Sequence, residues 1–190
     1  MAQGVFTTEA ARDAAITSPT EGMIVYLTAP TVPAATGTTT AVPTGSRTIY
    51  NGSVWVCVTP VGANTPQDGT STSTSFTASL SGSPGTNPSV TLVTGTTALI
   101  SVRATISNAT IGQGCGVGVA VSGATTKAAA LDDTGVFFRS AAANQDAGIS
   151  AVTIITGLTA GTNTFTLQYF TTSGGTMTAN RRVLIAQGIA

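Results

Sequence analysis

The sequence predicts a mainly β protein: a C-terminal, jelly-roll-like antiparallel β-sandwich preceded by a small N-terminal helix-plus-hairpin unit. Three observations predict it. Threonine is one residue in five, and with Val and Ile it favours strands, where branched side chains pack well on a pleated surface. Short apolar runs recur through the second half with Gly, Asn, Asp or Pro between them, which is the spacing of a sandwich or barrel. No helical period of useful length interrupts them.

The elements follow in order. Thr7–Ala15 (TTEAARDAA) reads as a short helix. Thr7 or Thr8 can cap its free N–H groups, Glu9 suits its positive end, and alanines carry the middle. Ser18-Pro19-Thr20-Glu21-Gly22 ends it, because the residue before proline avoids helical angles. Met23–Leu27 is a strand, and Thr28–Gly45, with Pro30, Pro33 and Pro43, is an extended loop. Arg47–Tyr50 and Ser53–Val58 then flank Asn51-Gly52, the preferred two-residue hairpin turn.

Residues 1–59 are therefore expected to form a helix plus a three-stranded anchoring unit, too small to be stable without a partner surface. Residues 60–75, rich in Pro, Gly, Ser and Thr, read as a linker. Residues 76–190 form the sandwich, with strands expected at Phe76–Leu80, Ser89–Val93, Ala98–Ser107, Cys115–Ser122, Lys127–Leu131, Gly135–Arg139, Ile149–Thr156, Asn163–Thr171 and Arg181–Gln187. Alternation puts Ile100, Val102, Ala104 and Ile106 on one face, Val117, Val119 and Val121 on another, and Phe165, Leu167 and Tyr169 on a third.

Charge is the unusual feature. Only 7% of residues are charged, seven basic and seven acidic, with no histidine and a formal net charge of zero. An ordinary soluble domain carries about a quarter. The residues expected to face outward on two strands are Gly116, Gly118, Ala120 and Ser122, and Thr164, Thr166, Gln168 and Phe170, where Lys and Glu usually protect a sheet. Such neutral faces favour self-association, so a homo-oligomer is expected. No basic excess exists to follow a phosphate backbone, so no nucleic-acid partner is expected. The uncharged stretches are broken every few residues by Thr, Ser, Gly or Asn, so no membrane partner is expected either. The opening residues carry acids and no apolar segment, which argues against a signal peptide.

Catalytic chemistry is poorly supplied. Without histidine, Ser–His–Asp and Cys–His catalysis are excluded. Cys57 and Cys115 lack metal-ligand spacing and read as buried small hydrophobes rather than as a disulfide. Asp133-Thr134-Gly135 matches the aspartic-protease tripeptide but reads as an ordinary turn, with Asp132 beside it. Asp132, Asp133 and Asp146 match no calcium loop. Arg181-Arg182 reads as two solubilising charges opening the last strand. No enzyme, catalytic residue, cofactor or metal is expected. Tyr26, Tyr50, Trp55, Phe165 and Tyr169 are the packing or interface candidates, with Trp55 expected to be an anchor across from Tyr50 rather than a sugar platform.

Two stretches carry a resemblance. Ala11-Arg12-Asp13-Ala14-Ala15-Ile16, Pro19, Glu21-Gly22-Met23 and Val25-Tyr26, followed by Thr48-Ile49-Tyr50-Asn51-Gly52-Ser53-Val54-Trp55, resemble a module of tailed-bacteriophage virion proteins, apart from the longer Thr28–Gly45 loop. The ending from Thr164 to Ile185 is similar to trimeric β-sandwich heads of phage fibres and capsid-decoration proteins. The resemblance implies a structural virion protein, a trimeric capsid decoration protein attached through its N-terminal unit to the major capsid protein or another virion protein. It implies a place on the virion exterior after synthesis in the host cytoplasm. The alternative is a tail-fibre or receptor-binding tip that recognises a host surface glycan. The chain has no heptads and no shaft repeat, which favours the compact decoration protein.

Overall fold

The computed structural model describes residues 3–190 apart from 33, 37–38 and 42–44. The first elements are β1 (Gln3–Phe6), α1 (Glu9–Ala15), β2 (Ile24–Leu27), β3 (Ala34–Thr36), β4 (Thr39–Ala41), β5 (Ser46–Tyr50) and β6 (Trp55–Cys57). Then come β7 (Val61–Thr65), β8 (Gly69–Ser71), β9 (Ser81–Gly82), β10 (Ser89–Thr94), β11 (Thr97–Asn108) and β12 (Gly114–Gly123). The last are α2 (Leu131–Thr134), β13 (Val136–Arg139), β14 (Ala147–Thr156), β15 (Gly161–Thr171) and β16 (Met177–Ile189).

The N-terminal sheet has the order β1-β2-β5-β6. Thr8 caps α1 by accepting the Ala11 N–H at 3.3 Å. The helix serves as the crossover that a parallel pair needs, so β1 lies parallel to β2 and adds a fourth strand to the three expected. The hairpin is also shifted. Its turn centres on Gly52-Ser53, closed by the Asn51 N–H to Val54 O bond. The Asn51 side chain accepts the N–H groups of Ser53 and Val54 at 3.1 and 2.9 Å, which moves the turn one residue along. Tyr50 therefore stands directly opposite Trp55.

The larger unit is a jelly-roll-like β-sandwich. One sheet has the order β13-β12-β15-β10-β3 and the other β14-β11-β16-β7-β4, with β8 and β9 attached beside β16. From β10 to β16 the chain changes sheet at every connection except β12 to β13. The alternating residues do what their period requires: Ile100, Val102, Ala104 and Ile106 face Val117, Val119, Val121, Phe165, Leu167 and Tyr169 across one buried core. Cys57 and Cys115 are free thiols, both buried. Burial raises both thiols, Cys115 to about 11.

Several expectations are corrected. Residues 60–75 are no plain linker: β7 pairs with β16 from Arg182↔Thr65 to Ala186↔Val61, and β8 pairs with its other end. Gly, Asn and Thr make a strand there because a long neighbour offers the partners. The described part of Thr28–Gly45 supplies edge strands to both sheets, β3 on β10 and β4 on β7; Pro33 and Pro43 lie outside the described residues. Phe76–Leu80 is not a strand; its ladder pairing with β15 is a single bridge, Thr77↔Tyr169. Lys127–Leu131 makes one bridge to Val121 before α2 begins. Gly116 and Gly118 are buried rather than open. Phe170 and Phe76 lie over them so closely that a Cβ would stand 2.6 Å from one ring and 2.8 Å from the other.

Arg181-Arg182 is the largest correction. Ladder pairs Arg103↔Val183 and Thr105↔Asn180 leave both arginines opposite Ala104, a β-bulge. Arg181 sits at φ 47 and points outward. Arg182 is fully buried, donating to the Tyr169 hydroxyl and Gln67 carbonyl, each at 3.3 Å, and to the Pro84 carbonyl.

Candidate attachment face

The N-terminal sheet presents two unlike faces. Toward α1 point Val25, Leu27, Thr48, Trp55 and Cys57, all buried. Arg12, buried on α1, lays its guanidinium 4.8 Å over the Trp55 ring, and its Nε and one terminal nitrogen each reach Asp13 at 2.8 Å. The Tyr50 ring is 5.4 Å from Trp55, tilted by 55°. This stack fixes the helix to the sheet.

Glu9, one turn earlier on α1, ties down the following loop. Its carboxylate accepts the Thr31 N–H and Val32 N–H, each at 3.0 Å, and the Thr31 hydroxyl at 2.9 Å. Burial opposes its ionisation, yet these bonds outweigh burial and hold the carboxyl below its ordinary range.

The other face is exposed at one residue on each of β1, β2 and β5. Val5, Tyr26 and Arg47 form one row across the three strands, Val5 71% and Tyr26 44% exposed. Together with Gly4, Ile24 and Val25 they line a groove of about 540 Å³. Arg47 has no ion pair among the described residues. Along the neighbouring row toward β6 this face closes: Ile24 and Ile49 are half-buried and Val56 is fully buried. A Cβ on Gly188 would come 2.6 Å from Val56, so glycine is what lets the sheet close on β16. An exposed tyrosine beside aliphatic side chains and one free guanidinium has the composition of a protein-docking surface.

The sequence candidates therefore separate. Tyr26 lies in the open groove, while Tyr50 and Trp55 hold the opposite face to α1. Phe165 and Tyr169 lie in the sandwich core, both fully buried. Val5 and Arg47 are the residues that sequence reasoning missed. Asp133 pairs with Lys127, and the Thr134 hydroxyl donates to the Val119 carbonyl at 3.0 Å, so the Asp-Thr-Gly string packs α2 on β12. No three His, Cys, Asp or Glu side chains gather among the described residues.

A second exposed apolar area lies on the outer face of β14, β11 and β16. Ladder rows Ile154–Leu99–Gln187 and Val152–Ser101–Ile185 cross these strands, with Val152 69%, Ile154 55% and Ile185 37% exposed.

No protein-family model and no curated protein matches the chain. Among solved structures it is similar to Eiger TNF from S. frugiperda, with a TM-score of 0.45 and 10% identity over 69% of this chain and 92% of that one. It is also similar to the Arthrobacter globiformis T6 isomalto-dextranase complexed with panose, with a TM-score of 0.31 and 22% identity over 67% of this chain. The match spans 22% of that enzyme's length.

Proposed function

We propose that the chain is a structural virion protein of a tailed bacteriophage, a trimeric capsid decoration protein on the particle exterior, attached to the major capsid protein or another virion protein through its N-terminal sheet. The observation that carries the reading is the open row Val5–Tyr26–Arg47 on a sheet whose other face is already filled. Low charge and the apolar rows around Val152 and Ile154 support association of the sandwiches. The phage-like module at Arg12–Tyr26 and Tyr50–Trp55 supports the particle.

Light scattering on the pure protein is expected to give three times the 18.7 kDa chain mass, and Val152→Lys with Ile154→Lys is expected to reduce it. A monodisperse mass near 18.7 kDa for the unaltered chain at micromolar concentration would refute the trimer. Attachment is tested by Val5→Glu with Tyr26→Glu, both exposed, added to particles assembled without the chain. Unchanged binding by a folded double variant moves the anchor elsewhere.

A further inference from the structure

The geometry points to a second binding site, for a small acidic saccharide, on the outer face of the sandwich beside the bulge at Arg181. The ladder row Ser150–Arg103–Val183–Asn64 follows the apolar rows along this face. Arg103, Arg181, Val183, Asn64, Thr65 and Pro66 line a groove of about 390 Å³. That is the size of a small-ligand pocket, about 300–1,000 Å³, and larger than a bare ion needs.

Both arginines are exposed and neither has an ion-pair partner among the described residues. Asp68, three residues beyond Thr65, pairs with neither. In a chain with seven basic residues, two unpaired ones in one groove are a large share. The backbone is bent to place one of them, Arg181. The bulge opposite Ala104 turns Arg182 inward and holds Arg181 at φ 47, a left-handed angle that a long side chain rarely adopts. Strain of this kind collects where a side chain has to be aimed.

The chemistry selects the ligand. Guanidinium forks match a carboxylate by paired N–H···O bonds. The Asn64 amide both donates and accepts, as a sugar hydroxyl requires, and Val183 with Pro66 offers apolar surface to a ring. A polyanion is not indicated, because the chain has no basic excess to follow one. The site goes beyond attachment, since it uses none of the residues on the N-terminal sheet.

The test is an NMR titration of the full-length labelled protein with sodium glucuronate, glucose, sodium acetate and inorganic phosphate in turn. Glucuronate is expected to shift the Arg103 and Arg181 Nε–H signals and the Asn64 amide together and saturably, with a Kd of about 1 mM. Glucose, acetate and phosphate are each expected to bind at least about tenfold more weakly. Arg103→Gln with Arg181→Asn, the asparagine chosen because it tolerates left-handed angles, should leave the circular dichroism spectrum unchanged and abolish the glucuronate shifts. Equal binding of acetate or phosphate, equal binding of glucose, or glucuronate shifts that survive in the double variant would each overturn the proposal, as would no shift at all.

Discussion

The Arg182 guanidinium lies over the Tyr169 ring, 5.6 Å from its centroid, with the hydroxyl of that ring accepting from Arg182 at 3.3 Å. The Tyr169 hydroxyl in turn donates to Asn87 Oδ1 at 2.7 Å. No carboxylate joins them: Arg182 has no ion pair among the described residues. Its charge is held by the ring face and by carbonyls of Gln67 and Pro84, so one side chain ties both ends of the stretch between β7 and β10 to the core.

Replacing Arg182 by Ala should therefore leave buried acceptors without donors and open a cavity. A loss of about 3 kcal/mol is expected, read as a lower urea midpoint. Arg182→Met, which fills the space, should cost less. Equal midpoints for Ala, Met and the unaltered chain would show that the buried charge organises nothing.

Tyr169 links this network to alkaline pH. Burial pushes its phenol up to about 12, with Arg182 partly offsetting the rise. The folded state thus keeps the proton longer than the unfolded chain. Stability from this group is complete below its ordinary value of 10 and declines as pH rises toward 12. Tyr169→Phe should remove a component of phenolate absorbance that develops near pH 12, and should flatten the fall of the urea midpoint across that window.

Trp55 is the only tryptophan, so its fluorescence reports on the N-terminal sheet alone. Trp55→Ala removes the ring between Arg12 and Tyr50, and about 3–5 kcal/mol is expected to go with it. Hydrogen exchange should show β2 and β5 losing protection while β11, β15 and β16 keep theirs. Uniform loss across both units would instead mean that they unfold as one.

Glu9 sets an acid limit on the loop it holds. Its folded value is lowered, so the stability it contributes is present above about 4.5 and is lost as pH falls through the folded value. The Thr31 and Val32 amide signals should move together with the Glu9 carboxyl signal in a titration below that point. Glu9→Gln should abolish the joint movement; an unaltered pH response of those amides in the variant would exclude the carboxylate as its source.

Much of the sandwich was legible because its strands alternate strictly: Ile100 to Ile106 and Phe165 to Tyr169 show a period of two that only a half-buried sheet rewards. Val61–Thr65 was not, since its glycine, asparagine and flanking prolines look like a tether until β16 supplies the ladder. Arg182 was misread by residue type although its position held the clue, for it shares parity with the buried Leu184 and Ala186. Of the candidate attachment face, Tyr26 stood out by size. Val5 and Arg47 join it only through the parallel pairing of β1 with β2 and the register of β5, long-range facts that no local pattern encodes.

The excursion between β2 and β5 has a mechanical meaning. The chain leaves the N-terminal sheet, lays β3 on one sandwich sheet and β4 on the other, and returns. A pull on the N-terminal sheet is thus shared among several strands, rather than running through a single strap at residue 60. Strands that are loaded side by side must lose hydrogen bonds together, which slows forced unfolding, a process governed by the unfolding rate. The sandwich is harnessed to its base, and a tug on either part is felt across the seam.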